Sequence, residues 1–86
     1  IGSHCLIHAK AFIGVETNVG DFVQVGAGSN INPGVTVEDE VFIGSGVTIV
    51  SGVTVGKGAR IGAGSVVVAP VKAGETVFGN PAKAIN

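Results

Sequence analysis

One apolar position recurs every six residues along this chain. Ile1, Ile7, Ile13, Val19, Val25, Ile31, Val37, Ile43, Ile49, Val55, Ile61 and Val67 are all Ile or Val. Four residues after each stands a small or β-branched side chain: Cys5, Ala11, Thr17, Val23, Ser29, Val35, Val41, Val47, Val53, Ala59, Ser65 and Val71. The unit is clearest in Ile43-Gly44-Ser45-Gly46-Val47-Thr48. A fixed six-residue period of this kind predicts a parallel β-helix, in which short strands meet at tight turns.

Three hexads make one triangular coil of 18 residues, so the repeat predicts about four coils. Residues one coil apart stack at the strand spacing of about 4.8 Å. Three inward columns result: Ile7, Val25, Ile43 and Ile61; Ile13, Ile31, Ile49 and Val67; Ile1, Val19, Val37 and Val55. Gly26, Gly44 and Gly62 stack at one corner, where glycine is expected to permit a backbone geometry that a Cβ would strain. His8 holds the first-coil place in that glycine column and is its exception. The hexads run unbroken through Lys72. From Ala73 the repeat is expected to fail, with Thr76-Val77-Phe78 as a short strand and Phe78 covering the last coil. The chain thus divides into a β-helix at 1–72 and a capping strand and tail at 73–86.

Composition narrows the class to all-β. The 86 residues suffice for one domain, the 15 glycines suit tight turns, and Trp, Tyr and Met are absent. Five basic and six acidic residues give no basic surface for nucleic acid or an anionic membrane. No apolar run is long enough to span a bilayer as a helix. The lone Cys5 excludes an intrachain disulfide and, with no secretory leader, sets the expectation of a cytoplasmic protein. Ile1-Gly2 already stands in register, with no capping segment before it. An open solenoid end exposes apolar side chains and strand edges, so we expect either a preceding domain or a partner chain over this end.

The hexads and the ending Val77-Phe78-Gly79-Asn80-Pro81-Ala82-Lys83 resemble the hexapeptide-repeat acyltransferases, within them most of all the sialic-acid O-acetyltransferase and bacterial amino-sugar N-acetyltransferase group. The resemblance covers essentially the whole chain. It implies a left-handed β-helix, a homotrimer, and acetyl-CoA as co-substrate in the cleft between neighbouring helices. It also implies a catalytic His-Glu or His-Asp pair just before a segment that here reads Val19-Gly20-Asp21-Phe22. The pair position reads Val15-Glu16, with the carboxylate but no His; a second His of the group reads Gln24, and a polar residue, often Asn, reads His8.

Acyl transfer from CoA needs a base for the acceptor's proton, donors near the thioester oxygen and a cation for the phosphates. His8 is the candidate base, since only a His titrates near neutrality unaided, and Glu16 is the carboxylate that would orient it or act alone. The backbone at Ser45, Gly46, Ala63 and Gly64 is the candidate cradle for pantetheine, and Lys83 the candidate cation. Taken singly, each of these glycines is explained by turn geometry and His8 by a solvated corner. Cys5 reads as core, and Glu38-Asp39-Glu40 as a solvated acidic turn.

The leading expectation is therefore an acetyl-CoA-dependent acetyltransferase acting on a sugar or nucleotide-sugar, either active or decayed through the Val15 departure. The alternative is a non-catalytic trimeric scaffold or binding module. A zinc-dependent carbonic anhydrase of the same fold needs three His ligands, whereas only His4 and His8 are present.

Overall fold

A computed structural model describes residues 5–7 and 11–85. From Ala11 to Val67 each hexad forms a two-residue strand joined to the next by a tight turn. The strands are β1 (Leu6–Ile7), β2 (Phe12–Ile13), β3 (Asn18–Val19), β4 (Gln24–Val25), β5 (Asn30–Ile31), β6 (Thr36–Val37), β7 (Phe42–Ile43), β8 (Thr48–Ile49), β9 (Thr54–Val55), β10 (Arg60–Ile61) and β11 (Val66–Val67). Two strands close the chain, β12 (Thr76–Phe78) and β13 (Lys83–Ala84). No helix occurs among the described residues.

The strands stack into three parallel sheets that form the faces of a prism. The first face runs β1-β4-β7-β10-β12, with β13 added antiparallel at its edge; the second runs β2-β5-β8-β11; the third runs β3-β6-β9. Ile7 pairs with Val25, Val25 with Ile43, and Ile43 with Ile61, as the sequence period requires. The other two columns stack in the same way, Ile13-Ile31-Ile49-Val67 and Val19-Val37-Val55. Ile1 and His4 lie outside the described residues.

Burial follows the two apolar hexad positions. Val25, Ile31, Ile43, Ile49 and Ile61 are fully excluded from solvent, as are Val23, Val35 and Val47 from the turns. Each such side chain contributes about 1.5–3 kcal/mol when buried. Branched side chains suit this core because each strand gives only one inward residue, which must fill its level of the prism. Ladder bonds tie each coil to the next: Gln24 N donates to Val41 O at 3.0 Å, and Gly44 N to Ile61 O at 2.9 Å.

The repeat departs from expectation near its end. Val71 does not take the fifth place of a hexad; it bridges to Val55 and so occupies the strand slot of the third face. Two residues are missing from the corner at 68–70, and the pattern then resumes. Lys72 to Glu75 form a complete corner, in which Gly74 N donates to Lys57 O at 2.8 Å, just as Gly58 N donates to Asp39 O at 2.9 Å. Thr76 and Val77 pair with Arg60 and Ile61. The hexads therefore do not fail after Lys72; they lose two residues before it and continue to Val77.

Phe78 is also corrected. It is an exposed residue whose ring lies against Gly62 at the corner edge. The core is closed instead by Val77, with half-buried Ala82 packed against it. The free edge of β11 is covered by the tail: Val66 N donates to Gly79 O at 2.9 Å, and Ala82 N to Val66 O at 2.8 Å. Covering that edge removes a row of unpaired backbone groups.

Candidate functional site

Among the described residues the corner after the first face is seen at 26–29, 44–47 and 62–65. Its leading glycines do not have positive φ. Glycine is needed there because the corners stack too closely for a side chain. A Cβ on Gly26 would lie 2.5 Å from Gly44 C and Ser45 N, and one on Gly44 would lie 2.7 Å from Ala63 N. Left-handed φ belongs to the fourth hexad position instead, at Gly28 (72°), Gly46 (67°) and Gly64 (75°). Space beside these three is open.

The amides of Gly46 and Gly64 are engaged within the solenoid. Gly46 N donates to Ala27 O at 3.0 Å, and Gly64 N to Ser45 O at 2.9 Å. The amides one residue earlier, at Ser45 and Ala63, donate to no acceptor among the described residues. The corner after the third face shows what such outward amides attract. There Asp39 Oδ1 accepts from Asp21 N at 2.7 Å, and Glu38 Oε1 accepts from Lys57 N at 3.0 Å. The acidic turn at 38–40 is thus more than a solvated face, since two of its carboxylates cap the turns above and below. No side chain does this at Ser45 or Ala63, so an acceptor from outside the chain can be received there.

A groove of about 150 Å³ opens at this corner, floored by Gly26, Ala27, Gly44 and Ser45 and walled by Gln24 and Phe42. Phe42 was not foreseen as a lining residue, and Gln24 was foreseen only as the position where the group carries a second His. The available signal was their outward sixth hexad position, which directs both onto the first face beside the corner. Lys83 reaches the top of the same face: it pairs with Phe78, whose ring lies on Gly62. Ser45, Gly46, Ala63, Gly64 and Lys83 therefore share one edge of the prism.

Glu16 does not join them. It sits at the corner after the second face, exposed and with φ of 57°. The second face separates it from the groove within one chain. Val15 beside it is 72% exposed. His8 lies outside the described residues. Among the described residues no group of three His, Cys, Asp or Glu side chains can hold a metal ion. Cys5 is half-buried against the core and donates to Gly20 O at 3.0 Å.

Comparison with known proteins places this geometry. A hexapeptide transferase family protein from Anaplasma phagocytophilum superposes with a TM-score of 0.94 at 26% identity, covering 100% of this chain and 53% of that one. The acetyltransferase domain of PglB from Neisseria gonorrhoeae, solved with acetyl coenzyme A, gives 0.80 at 27% identity, covering 98% and 54%. Perosamine N-acetyltransferase from Caulobacter crescentus, solved with CoA and GDP-perosamine, gives 0.77 at 22% identity, covering 95% and 53%, a likeness of fold alone. The chain thus spans about half the length of these three proteins. No curated protein sequence matches it. The bacterial transferase hexapeptide (six repeats) profile matches residues 16–51 and again 36–69, which is more than half of the chain. The protein belongs to the bacterial transferase hexapeptide family.

Proposed function

We propose that this chain is the acetyl-CoA-binding, β-helical part of an acetyltransferase that acylates a sugar or nucleotide-sugar. The observation that carries the reading is the row of unoccupied outward amides at Ser45 and Ala63 beside an open groove. Pantetheine offers amide carbonyls to such donors, and Lys83 at the top of the edge offers a cation to the phosphates. The likeness to a PglB domain solved with acetyl coenzyme A supports the choice of donor. The sugar acceptor is supported by the C. crescentus protein only at the level of fold.

In the reaction the acceptor's oxygen or nitrogen attacks the thioester carbonyl carbon. The acceptor's proton passes to a base, the C–S bond breaks, and the base returns that proton to the sulfur, so that CoA leaves as the thiol. His8 is the proposed base and Glu16 the carboxylate that orients it or acts alone. Glu16 stands at a different corner from the groove, so this chemistry needs a second copy to bring its Glu16 corner to the first copy's groove. A cytoplasmic homotrimer meets that need.

Titration calorimetry with acetyl-CoA, coupled to thiol release in the presence of amino-sugar acceptors, tests the proposal. Saturable heat and acceptor-dependent CoA release are expected; no heat with either acetyl-CoA or CoA would overturn it. The second reading, a scaffold without turnover, is favoured by Val15 and Gln24 standing where the group carries His. A gain of transfer in Val15→His over an inert parent supports that reading, whereas turnover by the parent excludes it.

A further inference from the structure

Ser29 is 1% exposed, one of two buried polar side chains among the described residues, in a core otherwise built from Val, Ile and Ala. Its hydroxyl reaches into the turn of the next coil, at 44–47. Ser29 Oγ donates to Gly44 O at 2.7 Å and accepts from Val47 N at 3.2 Å. Those two groups are the ends of the turn that carries Ser45 and Gly46. In the corner one coil below, the end amide bonds straight back to the first carbonyl, with Ser29 N on Gly26 O at 3.3 Å. One coil above, Ser65 N does the same on Gly62 O, again at 3.3 Å. At 44–47 a hydroxyl stands between the two ends instead, so the turn closes through an added atom. Gly44 and Ser45 from this turn form part of the groove floor.

We infer that Ser29 is a positioning residue for the acyl-donor groove. Its hydroxyl holds the 44–47 turn open and sets the direction in which the Ser45 amide is presented. The inference rests on the proposed acetyl-CoA reading for its functional consequence, and its structural content stands apart from that reading. Ser65 is the internal control. It is equally buried and bonds Gly62 O at 2.7 Å and Gly79 N at 3.1 Å, so it acts on the next turn, the one that carries Ala63 and Gly64 rather than Ser45 and Gly46.

The test compares Ser29→Ala, Ser29→Thr and Ser65→Ala with the parent chain by acetyl-CoA titration, thermal unfolding and amide chemical shifts. Ser29→Thr keeps the hydroxyl. Ser29→Ala is expected to weaken acetyl-CoA binding about tenfold and to displace the Ser45 and Gly46 amide resonances without ligand, and Ser29→Thr to restore both. Ser65→Ala is expected to displace the Ala63 and Gly64 resonances more than those of Ser45 and Gly46. Unmoved Ser45 and Gly46 resonances in Ser29→Ala would overturn the inference whether or not the protein binds acetyl-CoA. So would a displacement of the Ser45 and Gly46 resonances in Ser65→Ala as large as in Ser29→Ala. A parent chain that binds no acetyl-CoA, with the resonances shifted as expected, overturns the proposed donor and leaves the positioning of the turn established.

Discussion

Val71 stacks beside Val55, sixteen residues before it, where the earlier coils space their partners eighteen apart. The bonds are those of a regular coil: Val71 N donates to Thr54 O at 3.0 Å, and Gly56 N to Val71 O at 2.8 Å. Val71 is 5% exposed while Val68, in the shortened corner, is 53% exposed. Val71→Ala should therefore cost about 2 kcal/mol from lost burial and the cavity left behind. Val68→Ala should stay within about 0.5 kcal/mol of the parent. Urea unfolding of the two variants checks this, and equal midpoints would contradict the register.

That corner marks where sequence reading stops being sufficient. The inward columns were legible because a six-residue period lets only one side chain per strand face the core. Val71 satisfied two readings at once: it is β-branched, as the fifth hexad position requires, and apolar, as the first requires. Only the pairing with Val55 decides between them. The glycines at 26, 44 and 62 were found by period, and the strain that a Cβ would bring there comes from the close approach of stacked corners, which the period alone does not show. Ser29 was read as merely small. A hydroxyl at an inward position was the available signal, but its partners belong to the next coil and appear only in three dimensions. The edge shared by Ser45, Gly46, Ala63 and Gly64 follows from the eighteen-residue stack. That Glu16 lies at another corner follows from the same arithmetic.

The two kinds of glycine respond differently to substitution. Gly44→Ala places a Cβ 2.7 Å from Ala63 N and 2.9 Å from Ala63 Cα, both backbone atoms that cannot rotate away. Roughly 2–3 kcal/mol of destabilisation is expected, as in other overpacked sites. Gly46→Ala meets open space but keeps φ of 67°, so only the left-handed penalty of about 1 kcal/mol applies. Denaturant midpoints that ranked Gly46→Ala as the worse variant would argue against close stacking as the reason for the glycine column.

The two cofactor-side substitutions separate charge from shape. Lys83 is exposed, so Lys83→Ala should weaken CoA binding by no more than about 1 kcal/mol. Dephospho-CoA should lose less if Lys83 meets the 3′-phosphate. Ala63 is exposed at an outward turn position, and Ala63→Trp should block the edge without disturbing the core. Calorimetry showing full CoA affinity in Ala63→Trp, with an unaltered unfolding curve, would move the donor site to another edge.

Glu16 and Glu40 are the paired test of the role proposed for Glu16. Both are exposed, and both hold a left-handed backbone, with φ of 57° and 62°. Glycine takes this place in the stack above Glu16, at Gly34 and Gly52, with φ of 79° and 80°. An L-residue in this conformation costs roughly 1–2 kcal/mol. Replacing it by glycine recovers most of that, less the added freedom of the unfolded chain. Glu16→Gly and Glu40→Gly should each stabilise the protein by about 0.5–1 kcal/mol. Their effects on acetyl transfer should diverge. Glu40→Gly keeps full turnover, whereas Glu16→Gly loses on the order of 10²-fold, the usual scale for a general base or its orienting partner. Glu16→Gln removes the charge and keeps the strained backbone, so it should lose activity to the same degree and gain no stability. Acetyl-CoA affinity should be unchanged in all three. Full turnover in Glu16→Gln would remove the carboxylate from the mechanism and leave its left-handed backbone without a functional reason.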